Sequence, residues 1–156
     1  MSMFRWTLRA LAPLGLLAAC FLASPDMADA QAKVKVKLNI SGFIGKKGQV
    51  MVSVYNSDDT FMEMDEAYKT IKKPITGKKV SITLELPPGV YAFGVLHDED
   101  KNGKLKQWMW VGPPKEGVGA SRNPDGIPKW KKCKMKIAKD MTIPIKMRYL
   151  GKDAGD

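Results

Sequence analysis

The chain has 156 residues, 44% of them hydrophobic and 27% charged; this is too apolar for a disordered chain and too short for more than one ordinary domain. Its 26 Lys and Arg against 16 Asp and Glu give a formal net charge of +10, spread along the sequence, which describes a solvated basic surface. Two Cys and one His leave little room for thiol or imidazole chemistry.

Residues 1–30 have the three parts of a secretory signal peptide. Arg5 and Arg9 form the positive start, Ala10 to Ala23 is almost wholly apolar, and Ala28-Asp29-Ala30 is an A-x-A cleavage site. The apolar run falls short of the ~20 residues of a membrane span. Cleavage after Ala30 predicts an exported protein, periplasmic or extracellular, with no transmembrane span. Leu17-Ala18-Ala19-Cys20 offers an alternative, because it resembles a bacterial lipobox and would make Cys20 a lipid attachment site at the envelope. Phe21-Leu22-Ala23 keeps the chain apolar after Cys20, which favours cleavage at Ala30. The organisation expected is a signal peptide over 1–30, one domain over 31–150 and a short polar tail over 151–156. Without residues 1–30 the charge is 24 minus 14, again +10, and Cys133 stands alone without an internal disulfide partner.

Lys33 to Ile40 alternates lysine with Val34, Val36, Leu38 and Ile40, so one face is core and the other wet. The lysines suit an edge strand guarded against aggregation. Gly42 to Gly48 is a turn, and Gln49 to Tyr55 alternates again. Asn56 to Asp65 is a polar loop. Glu66 to Lys73 fits either a short helix or an edge strand ended by Pro74. Val80 to Leu86 alternates cleanly. Val90 to His97 is nearly all apolar, as a central strand buried on both faces would be. Pro87-Pro88-Gly89 between these two runs predicts a hairpin.

Asp98 to Gly103 is a second turn, and Lys104 to Val111 could form another strand. Gly112 to Lys129, rich in Pro and Gly, reads as a long irregular loop. Cys133, Met135 and Ile137 alternate with lysines. Met141 to Tyr149 closes the set, with Pro144 placing that strand at an edge. About seven short strands with turns between them predict an all-β Greek-key sandwich of prealbumin or immunoglobulin-like type.

Leu86-Pro87-Pro88-Gly89-Val90-Tyr91-Ala92 resembles the L-P-P-G-x-Y signature of prealbumin-like and collagen-adhesin-type sandwiches. His97-Asp98-Glu99-Asp100-Lys101-Asn102-Gly103-Lys104-Leu105 followed by Pro114-Lys115-Glu116-Gly117-Val118-Gly119-Ala120-Ser121-Arg122-Asn123 resembles a bacterial family called domain of unknown function 2141. The resemblance covers residues 33 to 150 and implies an exported β-sandwich without an established activity. The sequence departs from the family pattern at Lys106, where an acid is usual, and at Trp108-Met109-Trp110. The resemblance also implies that His97, Asp98 and Glu99 meet the Glu116-Gly117-x-Gly119 loop at one end of the sandwich, so that the site end carries Asp98 to Gly103 and Gly112 to Asn123. His97, Asp98, Glu99, Asp100, Asn102, Glu116 and Asn123 are therefore the candidate binding residues.

Asp98-x-Asp100-x-Asn102-Gly103 matches the first half of a calcium loop, with Asp98, Asp100 and Asn102 as ligands. The twelfth position, which wants a bidentate Glu, is Met109, so a plain polar turn competes with the calcium reading. Met62, Met64, His97 and the Trp108 to Trp110 run are soft groups suited to copper(I), although no spacing forces them together. The densest basic stretch, Lys129 to Lys136 around Trp130, could meet anionic lipid or polysaccharide. Nucleic acid is not expected of an exported protein. Cys133 should be buried and unreactive.

His97 lies beside acids without a paired nucleophile, so a non-enzymatic binding or structural module of the cell envelope is the first expectation. A metal protein, or an enzyme using His97 and its carboxylates, is the alternative. Asp98→Ala or Asp100→Ala is expected to leave folding intact and abolish partner capture.

Overall fold

A computed structural model describes residues 32–104 and 116–149. These lie within one compact unit, Gln31–Asp156. The expected signal peptide with Cys20, most of the Lys104 to Val111 strand, Trp108 to Trp110 and the polar tail lie outside the described residues.

The described chain is an all-β sandwich. In order it runs β1 (Val34–Ser41), β2 (Gln49–Tyr55), a 3-10 turn (Met64–Glu66), β3 (Lys69–Pro74), β4 (Lys79–Leu86) and β5 (Gly89–Asp98). It continues with β6 (Val118–Ala120), the single helical turn α1 (Trp130–Cys133), β7 (Met135–Ile137) and β8 (Met141–Lys146). One sheet has the order β4-β1-β8. The other has the order β3-β2-β5-β6, and β7 also pairs with β5. The chain leaves β2 through β3 and β4 and returns as β5 beside β2, which is the return stroke of a Greek key. No described helix is long and apolar enough to cross a membrane.

Alternation assigned the faces. Val36, Leu38 and Ile40 of β1, Val80, Ile82, Leu84 and Leu86 of β4, and Ile143 and Ile145 of β8 point inward. They meet Val50, Val52, Val54, Phe93 and Val95 of the second sheet in one core. β5 is buried on both faces from Tyr91 to Asp98, as its unbroken apolar run predicts. Its outer face is covered by a second cluster, in which Tyr55 and Ala92 pack with Ala120, Trp130 and Cys133. Burial pushes the Cys133 thiol above its ordinary value, so this cysteine is a packed, unreactive group.

Four sequence expectations are corrected by pairing. β1 is central and not an edge: β4 pairs with it antiparallel and β8 parallel. Its lysines mark only an outward face. β4 and β5 do not form a hairpin, because each pairs within a different sheet. Pro87 and Pro88 lack the N–H groups of a ladder, and the chain turns from one sheet to the other there. The Tyr91 phenol donates to the Pro87 carbonyl at 3.1 Å and fixes the crossing. Gly89 is needed because a Cβ would stand 2.9 Å from the Tyr91 ring.

The other two corrections concern the C-terminal third. Cys133 sits in α1, so Lys132 to Ile137 is not one strand and its lysines do not share one face. Within the long loop, Val118–Ala120 is a strand on β5. The ambiguous segment after Asp65 resolves into a 3-10 turn and then the lysine-guarded edge strand β3. β8 is at an edge, as Pro144 requires.

Candidate functional site: a carboxylate loop at one end of the sandwich

Four pieces of chain meet at one end: the β1–β2 turn, the end of β5 with its loop, the start of β6, and Tyr149 after β8. His97 is 1% exposed and holds three of them together. Its Nε2 lies 2.8 Å from the Lys47 carbonyl, which can only accept, so Nε2 donates. In the neutral ring Nδ1 then accepts from the Tyr149 hydroxyl at 2.7 Å. The same hydroxyl accepts the Ile44 N–H at 3.4 Å. The ring packs edge-on against Phe43 and Tyr149. Both ring nitrogens are thus engaged in tying the β1–β2 turn to the chain end.

Asp98 is the next residue and is fully buried. Its Oδ2 accepts from Gln49 Nε2 at 2.8 Å and from the Gly103 N–H at 3.0 Å. Its Oδ1 accepts the Asn102 N–H at 3.1 Å. Asp100, exposed, accepts from the Asn102 N–H and from Asn102 Nδ2. Lys101 and Gly103 have φ of 59° and 72°, the left-handed backbone that wraps the loop round Asp98.

Glu116 arrives from the start of β6 and is 4% exposed. Its Oε1 accepts the Glu99 N–H at 3.3 Å. One carboxylate oxygen each from Asp98, Asp100 and Glu116 then lie within 4.8 Å of one another. The ammonium of Lys72 on β3 also reaches this loop, standing beside Gly103.

Of the residues singled out from the sequence, His97, Asp98, Glu99, Asp100 and Glu116 are brought together here. Asn102 is at the loop, but its side-chain oxygen accepts the Lys104 N–H at 2.7 Å and so braces the turn. Glu116 takes its place in the carboxylate set. The calcium-loop pattern could not supply Glu116, because it looks forward along one loop and Glu116 comes from the separate segment leading into β6.

Asn123 lies elsewhere. It donates to the Pro144 carbonyl and accepts the Lys146 N–H, serving the outer edge of β8, where no further strand pairs among the described residues. Its neighbours in the motif also have structural duties. Gly117 leaves room for the Tyr149 ring. The Ser121 hydroxyl accepts the Phe93 N–H and donates to the Cys133 carbonyl, filling the gap on β5 between β6 and β7.

Among the described residues the soft groups are not assembled with the imidazole, and Trp108 to Trp110 lie outside them. Met51, Met62 and Met64 line a groove of about 480 Å³ on the outer face of β2 and β5, and His97 is not part of it.

The hydroxyl at the centre of the clasp titrates in the alkaline range. Burial raises the Tyr149 phenol above its ordinary 10.0, and Glu99 adds to the rise while the Ile44 N–H opposes it. Burial raises Tyr55 and Tyr91 in the same direction. The folded chain therefore holds these protons more tightly than the unfolded one. This stability is fully present below the unfolded value and is lost as pH rises through the folded values. The melting temperature should fall above about pH 10, and Tyr149→Phe should make that fall shallower. An identical alkaline slope in the variant would remove Tyr149 from the account.

No curated protein and no solved structure matches the chain. Residues 38–144, which contain the His97 to Lys104 loop and the Glu116 to Asn123 return, match the family described as "Uncharacterized protein conserved in bacteria (DUF2141)", and the chain belongs to that family.

Proposed function

We propose that this protein is an exported, non-enzymatic binding module of the bacterial cell envelope, and that its end loop takes a hard divalent cation, calcium above all. The observation that carries this reading is the convergence of Asp98, Asp100 and Glu116, with ligand oxygens within 4.8 Å of one another. One exposed and two buried residues thus offer oxygens at the spacing of ligands around a single hard cation. Calcium accepts oxygen ligands at about 2.3–2.6 Å, so two ligands across one ion stand about 5 Å apart. Asp98 accepts three hydrogen bonds of the roughly four that a carboxylate can accept, which leaves it one direction for a ligand bond.

The donor set is all oxygen, which favours calcium over the softer metals. The engagement of both His97 nitrogens supports the non-enzymatic reading, since a general base needs a nitrogen directed at substrate. The export reading rests on the composition of residues 1–30.

Affinity should lie in the range of extracellular calcium modules, about 10⁻⁴–10⁻³ M, because Asp100 is exposed and Lys72 competes for the loop. Calorimetric titration of residues 31–156 should give heat on adding calcium. A tenfold excess over Kd should raise the melting temperature by roughly 5 °C. Asp100→Ala should keep the calcium-free stability and lose this response. A titration without heat and without a melting shift would reduce the loop to a polar turn with Lys72 as its counter-ion.

A further inference from the structure

The sheet β4-β1-β8 gives its inner face entirely to the core. Its outer face is built from the alternate residues and is strongly basic. Lys35 and Lys37 of β1, Lys79 of β4 and Lys146 of β8 are all exposed there. Lys79 and Lys146 face Ser41 in register from either side, and Lys37 stands between Thr83 and Thr142. Lys73 crosses from β3, its ammonium donating to the Ser81 carbonyl at 2.9 Å, and adds a fifth positive charge at the β4 edge. Glu85, opposite Lys35, is the single carboxylate among the outward positions of the three strands.

Neighbouring strands stand about 4.8 Å apart and two residues along a strand span about 6.8 Å, so the four strand ammonium groups project from an area of roughly 10 by 20 Å. Between them are serine, threonine, asparagine and Pro144. No aromatic or large aliphatic side chain occupies an outward position of this sheet.

We propose that this outer face lays the protein on an anionic lipid bilayer. Charge complementarity carries the argument, and the chemistry of the face selects the partner. A neutral sugar polymer offers these ammonium groups no opposite charge, and a protein partner wants buried aromatic or apolar anchors, which this face lacks. A broad row of ammonium groups with nothing to insert fits a planar negative surface held by Coulomb attraction alone. The surface shares no residue with the carboxylate set of Asp98, Asp100 and Glu116. It also differs from the Lys129 to Lys136 stretch, where α1 interrupts the strand and scatters the lysines.

The test is binding of residues 31–156 to phosphatidylcholine vesicles with and without phosphatidylglycerol, read by sedimentation across a salt series. Binding should need phosphatidylglycerol and vanish as salt shortens the Debye length. Each lysine near the surface contributes about fivefold to the partition coefficient. The variant Lys35→Gln/Lys37→Gln/Lys79→Gln/Lys146→Gln should therefore bind more weakly by roughly two orders of magnitude or more.

The variant Lys131→Gln/Lys132→Gln/Lys134→Gln/Lys136→Gln, with the same change in net charge, should stay within about twofold of the parent. Circular dichroism checks that both remain folded. If the first melts early, Lys37→Gln/Lys146→Gln replaces it, with a loss of about tenfold or more expected. Equal losses in both sets would overturn the proposal, since net charge alone would then explain binding. Absence of binding to anionic vesicles, or capture by dextran sulfate in its place, would overturn it too.

Discussion

Asp98→Ala should cost about 3 kcal/mol of stability and undo the carboxylate loop. The side chain is fully buried and accepts three hydrogen bonds, from Gln49 Nε2 and from the Asn102 and Gly103 amides. Hydrogen bonds to a charged acceptor are roughly twice as strong as neutral ones. Alanine would strip Gln49 Nε2 and the Gly103 N–H of their acceptor and leave the Asn102 N–H only Asp100. The left-handed wrap at Lys101 and Gly103 would lose the buried carboxylate it closes around.

Chemical or thermal unfolding measures the cost, and hydrogen exchange at the Asn102 and Gly103 amides reports the opening. A variant that melts like the parent would show that the loop does not depend on this carboxylate. The sequence alone led to the opposite expectation for Asp98, a folded variant lacking only partner capture. That expectation keeps its force for Asp100, which is exposed.

Gly48→Ala should be at least as damaging, about 3 kcal/mol or more. Gly48 has φ of +83°, where an L side chain is strained. A Cβ there would also collide with the Asp98 carbonyl oxygen and stand 2.5 Å from Glu99 Cα. These neighbours are backbone atoms of β5 and its loop, so no rotamer change relieves the contact. The β1–β2 turn, the Gln49–Asp98 pairing at the end of the β2–β5 ladder and the carboxylates beyond it would move together. Calcium response should therefore fall along with stability. Gly45→Ala and Gly77→Ala make fair controls, since a Cβ at either meets nothing within 4 Å and neither has positive φ. If Gly48→Ala unfolds at the same denaturant concentration as these controls, the close approach described here is wrong.

The candidate site was half legible. The run from His97 to Asn102 announced itself by its density of acids around Gly103, and its loop geometry follows from local hydrogen bonds. Glu116 was visible only through family resemblance, which grouped it with Asn123. Nothing in the local chemistry could say that Glu116 would close on Asp98 while Asn123, seven residues on, would cap β8. That division depends on β6, which pairs with β5 over Val118–Ala120 while Val118 at its start also bridges Arg148 beyond β8. His97 shows the same limit. Its acidic neighbours were plain, but the Lys47 carbonyl and the Tyr149 hydroxyl that engage its ring lie 50 and 52 residues away.

The sequence by itself determined which side chains are inside. Val36, Leu38 and Ile40, the alternate residues of β4, and β5 from Tyr91 to His97 are buried where period two and the apolar run placed them; Val90 at the start of that run is exposed. It also determined that Pro144 lies at an edge, because a missing N–H is a local fact. Strand partners came from the folded chain alone: β1 is central, β4 and β5 part company at Pro87-Pro88, and β8 returns parallel to β1. The physical reason is that alternation records one residue's exposure to water, a property of its own face. Strand order is fixed by contacts such as Leu38 with Ile143, and the Lys35 N–H with Asp140 across 105 residues, whose partners no short window contains.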